Sequence, residues 1–133
     1  MSLMYWTQEI AVGSELIDNQ HQALIERVNR LVAAIEEGRE DEEIARLFEF
    51  LKEYTQDHFT AEERLMHESG YPDREGHAAE HRAFCEKIAD LEGRMAAEGM
   101  TTVLKRDFDE AVIDWLFDHI CRTDRLLGQY LCA

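Results

Sequence analysis

The sequence predicts an all-α fold: an up-down-up-down antiparallel four-helix bundle with an N-terminal arm. Three observations predict it. Only one proline, Pro72, occurs in 133 residues, and the rest is rich in Glu, Leu, Ala and Arg, which favour helix. Glycines interrupt the chain where helices would end. Between them, apolar residues recur in steps of three and four, the pattern of a helix with one buried face.

Each element follows in order. Residues 1–17 form the arm, with Trp6 as its anchor. The first helix, about 18–37, opens at Asp18, carries Leu24, Val28, Leu31 and Ile35, and stops before Gly38. The second, about 41–67, opens at Asp41 and carries Ile44, Leu47, Phe48, Leu51, Tyr54 and Leu65; Gly70 follows it. The third, about 73–97, opens at Asp73, carries Phe84, Ile88, Leu91 and Met95, and precedes Gly99. The fourth, about 102–130, opens at Thr101 or Thr102 and carries Leu104, Phe108, Val112 and Trp115. Short connections imply antiparallel neighbours.

One domain spanning 1–133 is expected, long enough to bury a core of its own. No apolar run approaches the roughly 20 residues needed to cross a membrane. The opening "MSLMYWTQEIAVGSE" lacks the basic and apolar regions of a signal peptide. Fourteen Lys and Arg against 29 Asp and Glu give a net charge of −15, which disfavours nucleic acid and anionic membrane surfaces. Cys85, Cys121 and Cys132 form no CxxC pair and are odd in number. They read as small core or tail residues of a protein in a reducing compartment, the cytoplasm.

The histidines fall on the apolar faces. His21 is in phase with Leu24 and Val28. His58 follows Leu51 and Tyr54, with Glu62 one turn on; His77 and His81 lead into Phe84 and Ile88; His119 follows Trp115. His67 lies off the face and reads as a surface residue. His21, His77 and His81 lie at the starts of odd helices, and His58, Glu62 and His119 toward the ends of even ones. In an up-down-up-down bundle those ends coincide, so the six groups converge. Left unpaired, each would cost several kcal/mol to bury; a metal centre removes that cost.

Five imidazoles exceed the needs of one four-coordinate structural zinc, and imidazole with carboxylate suits iron, zinc, copper or nickel. A zinc site of the form HxxxHxxxC, ending at Cys85, leaves His21, His58 and Glu62 unexplained. One carboxylate balances two divalent ions poorly, so a second acid is expected on the fourth helix. Asp118 is rotated about 100° from His119, and Asp124 about 140°. Asp124 reaches the site only if the helix widens locally, as in a π-type turn. Spacing does not choose between them.

The four blocks "IDNQH" to His21, "HFTAE" from His58 to Glu62, "HAAEH" from His77 to His81 and "HICRTD" from His119 to Asp124 together resemble the hemerythrin family, and within it the single-domain bacterial hemerythrins. "GYPD" and "WLFDHI" are similar to the family as well. The resemblance implies two non-haem Fe ions. It assigns His77, His81 and His119 to a coordinatively full iron, and His21 and His58 to one with an open position. Glu62 and Asp124 would bridge the two, with an oxo or hydroxo group as third bridge.

The implied function is reversible O2 binding, for transport, storage or delivery, in a protein that is not an enzyme. Sites richer in carboxylate stabilise highly oxidised iron; five neutral imidazoles do so less. Leu24, Phe59, Trp115 and Ile120 match positions that line the O2 pocket in the family, and all four also suit a core. Two alternatives accompany this reading: a di-iron enzyme acting as ferroxidase, peroxidase or NO handler, and an O2 or redox sensor that signals to a protein partner in trans.

Overall fold

The structure, a computed structural model, describes residues 6–132. Four long helices account for most of it: α1 (Glu15–Glu36), α2 (Glu40–Ser69), α3 (Arg74–Glu98) and α4 (102–131). No strand occurs among the described residues. α1 packs on α2, α2 on α3 and α3 on α4. The core between them holds Leu24, Val28, Leu31, Leu47, Phe48, Leu51, Phe84, Leu91, Leu104 and Phe108, all almost fully buried. No helix among the described residues is long and apolar enough to cross a membrane.

Helix ends follow local chemistry. Ser14 caps α1, its hydroxyl accepting from the Ile17 amide at 3.4 Å, so α1 starts before Asp18. Asp18 instead accepts from the Val12 amide at 2.8 Å and ties the arm down. α2 starts at Glu40 rather than Asp41; its first turn is acidic, which suits the positive end of the helix dipole. Thr101 caps α4 by accepting from the Leu104 amide at 3.0 Å. Gly70 ends α2 at φ 68°, a left-handed conformation that a side chain would strain.

The arm lies against α4. A 3-10 turn at Gln8–Ile10 packs on its second half, and Ile10 and Val12 are buried. Trp6 is partly buried against the core; residues 1–5 of the expected arm lie outside the described residues. Gly128 of α4 allows the approach, because a Cβ there would stand 2.8 Å from both the Ala11 carbonyl oxygen and the Val12 Cα.

Two expectations about packing are corrected. Ile35 is exposed, since α1 presents Val32 and Ala34 to the core in its last turns. Cys85 and Cys121 are exposed on the outer faces of α3 and α4 rather than in the core, as is Cys132 in the tail.

α4 is not a uniform helix. α-Helical turns at Thr102–Phe108, Trp115–Asp118 and Arg125–Leu131 alternate with π-helical stretches at Asp109–Asp114 and His119–Asp124. The second widened stretch runs from one expected site residue to another.

Candidate metal centre

Every helix contributes. α1 supplies His21, α2 His58 and Glu62, α3 His77 and His81, and α4 His119 and Asp124; none is more than 2% exposed. Asp118 points outward and pairs with Arg122 at 2.7 Å. The π stretch adds part of a residue per turn, which swings Asp124 onto the face that His119 occupies. His67 is exposed, as its phase implies.

The donor atoms form two groups, each within 4.8 Å across and each able to hold a cation. One contains Glu62, His77, His81, His119 and Asp124; the other contains His21, His58, Glu62 and Asp124. The carboxylates belong to both. Asp124 Oδ1 lies 2.9 Å from His77 Nε2 and 3.1 Å from His119 Nε2, while its Oδ2 lies 2.9 Å from His21 Nε2. Glu62 Oε1 lies against His77 and 3.1 Å from His81 Nε2, while its Oε2 lies 3.2 Å from His58 Nε2. Each carboxylate thus gives one oxygen to each group.

The arrangement fits cations better than it fits itself. His21 and His58 face each other through Nε2 at 3.2 Å, and so do His81 and His119. Both oxygens of Asp124 and Oε2 of Glu62 are buried without a hydrogen bond, although ring nitrogens lie close by. Lone pairs converge on common points instead of on protons. Such a set is costly to bury empty and stable around positive charge.

Protons partly fill that role. Burial pushes His77 and His119 down, but Asp124 and Glu62 outweigh it, raising His77 to about 9 and His119 to about 10. Burial and the charge of Glu62 push Asp124 up, yet His119 and His21 hold it at about 2. Glu62 is likewise held well below the carboxylate range: burial raises it, and the surrounding imidazoles outweigh that effect. His58 moves down, because burial exceeds the pull of Glu62.

Aromatic rings wall the site. Phe59 stacks on His81 at 3.8 Å and lies 5.8 Å from His58; Trp115 stacks on His119 at 4.4 Å. Leu24 and Ile120 are buried in the adjoining core, and Trp115 is half-buried. Three neighbours were missed in the sequence. Tyr54, expected only as core, stacks on His58 at 4.6 Å. The Gln20 Oε1 atom accepts from His58 Nδ1 at 2.7 Å, and Glu63 Oε2 from His81 Nδ1 at 3.0 Å. Gln20 and Glu63 each adjoin a site residue in the chain, which rotates them toward the bundle edge, where a ring's outer nitrogen lies.

Fold and site together define a helical protein built round a buried histidine–carboxylate centre able to hold cations. The family model for the hemerythrin HHE cation-binding domain matches residues 12–131, and this chain belongs to the hemerythrin family. A bacteriohemerythrin of Methylococcus capsulatus is 35% identical over 134 residues, covering 100% of both chains. One from Pseudomonas aeruginosa (strain LESB58) is 34% identical over 125 residues, covering 93% of this chain and 78% of its own. One from Stenotrophomonas maltophilia is 31% identical over 138 residues, covering 100% of this chain and 84% of its own.

Proposed function

We propose that this protein binds O2 reversibly at a non-haem di-iron centre. His77, His81 and His119 would hold one iron, His21 and His58 the other, and Glu62 and Asp124 would be shared between them; an oxo or hydroxo group would complete the pair. The observation that carries the reading is the division of each carboxylate, one oxygen to the three-histidine group and one to the two-histidine group. The unequal histidine count supports one filled position and one with room for a ligand. Iron held there would supply the reversible one-electron chemistry that O2 binding needs.

The chain's own residues do the rest. Five imidazoles and two carboxylates bring only two negative charges, which favours the lower oxidation state between cycles. Leu24, Phe59, Trp115 and Ile120 exclude water from the centre. An up-down-up-down course belongs to this reading, since it brings the starts of α1 and α3 to the ends of α2 and α4. Carriage, storage or delivery of oxygen in the cytoplasm, without catalysis, is the role it supports.

The test is an iron assay followed by optical spectra through reduction, air and argon. Two irons per chain and a band that appears in air and vanishes under argon are expected. Zinc in place of iron after reconstitution, or repeated turnover of peroxide or NO by the reduced protein, overturns it.

A further inference from the structure

Two side chains outside the donor set reach the outer nitrogens of donor histidines, and each does so from the preceding helix. Gln20 of α1 accepts from His58 of α2, and Glu63 of α2 accepts from His81 of α3. Consecutive residues flank the His81 ring: Glu63 Oε2 lies 3.0 Å from Nδ1, and Glu62 Oε1 lies 3.1 Å from Nε2 but closer to His77 Nε2. The Nδ1 atoms of His21, His77 and His119 have no such partner among the described residues.

We propose that Gln20 and Glu63 are positioning residues that keep the proton of His58 and His81 on Nδ1 and turn each Nε2 lone pair inward, and that their different charges make the two donor groups unequal.

The acceptors differ in kind. An ionised carboxylate only accepts; Glu62 Oε1 takes its proton from the nearer His77 Nε2, at 2.5 Å against 3.1 Å for His81, which leaves Glu63 to fix the His81 proton on Nδ1. An amide can turn round and donate, so Gln20 holds His58 less strictly. The carboxylate also draws the Nδ1 proton toward itself, which leaves His81 Nε2 richer in electrons than His58 Nε2. Outer partners of this kind set ligand orientation and basicity, and their loss typically weakens metal binding 10–100-fold. Glu63 is 42% exposed at the bundle edge, so its replacement leaves no buried cavity. The group containing His81 therefore favours the more highly charged metal ion. This second half rests on the di-iron reading; the tautomers do not.

The experiment has two arms. In the first, 15N spectra of the metal-free protein in mildly alkaline buffer report which ring nitrogen carries the proton. His81 and His58 should be Nδ1-protonated, and Glu63→Ala or Gln20→Ala should give the matching ring a mixture of tautomers. In the second, the iron-loaded Glu63→Gln and Gln20→Glu variants are titrated for reduction potential. Removing the outer charge should raise the potential and adding one should lower it. Unchanged tautomers in both alanine variants, or potentials that move in the same direction, overturn the proposal. A wild-type chain that takes up no iron but shows the expected tautomers refutes the di-iron reading and upholds the assignment of Gln20 and Glu63.

Discussion

His119 and Asp124 are five positions apart, yet His119 Nε2 and Asp124 Oδ1 stand 3.1 Å from each other. An ideal α-helix would rotate the two about 140° apart. The π stretch between them closes that angle. Asp124→Ala should therefore abolish loading of a metal pair, as should Glu62→Ala, while Asp118→Ala should leave metal content intact because Asp118 faces solvent. Elemental analysis of the three variants decides; equal loss from Asp118→Ala refutes the site as drawn.

The raised His77 and His119 make metal uptake a proton-releasing event. Both are protonated at neutral pH in the metal-free protein and must be deprotonated to act as ligands, so loading should release about two protons per chain from these rings, besides those lost by a water that becomes the bridge. A pH indicator in weak buffer measures this. The same shifts set stability. A raised histidine pKa stabilises fully below the unfolded value of 6.5, and the contribution is lost as pH rises through about 9 to 10. Asp124 acts in the opposite sense, stabilising above 3.8 and losing its effect as pH falls toward about 2. Metal-free protein should melt at falling temperatures from neutral to alkaline pH, and metal should flatten that slope.

Leu24 and Leu91 are equally buried, at 1% exposure. Truncation of either to Ala should cost about 2–5 kcal/mol. Only Leu24, one turn from His21, adjoins the two-histidine group, where new space admits water. Leu24→Ala should keep its metal but lose the oxygenated absorption band faster than Leu91→Ala. Equal decay rates would show that Leu24 does not shield that position.

Two glycines in helices predict opposite outcomes. Gly93 of α3 is exposed, and a Cβ there meets nothing within 4 Å. Gly93→Ala should stabilise by about 0.5–1 kcal/mol through helix propensity. Gly128→Ala should destabilise by about 1–3 kcal/mol, because its methyl strikes the backbone of Ala11 and Val12. Denaturant melts of the two variants check the sign.

How much of this was legible beforehand depended on the physics behind each feature. The four helices and their buried faces follow from periodicity, and the seven side chains that the structure brings together are the ones the sequence singles out, six by phase and Asp124 through the family likeness. Phase alone could not select Asp124, because a π stretch is fixed by what the helix must reach and not by local propensity. Asp18 resembled a cap but binds the Val12 amide instead. By phase Glu63 is rotated about 100° from Glu62 and reads as pointing away from the centre, and Gln20 beside His21 carries no signal, because phase analysis treats a residue beside a buried one as solvent-facing. That rule fails where a ring exposes its second nitrogen to the seam between helices.

All seven donors are enclosed, and their seclusion has a kinetic consequence. An ion cannot settle among them without passing between packed helices, so loading waits on transient separation of those helices. The rate at which metal arrives or leaves should saturate as free metal or chelator increases, reaching a ceiling set by how often the protein opens. Substitutions that loosen the bundle away from the donors, Leu91→Ala among them, should raise that ceiling while the occupied centre keeps its donors.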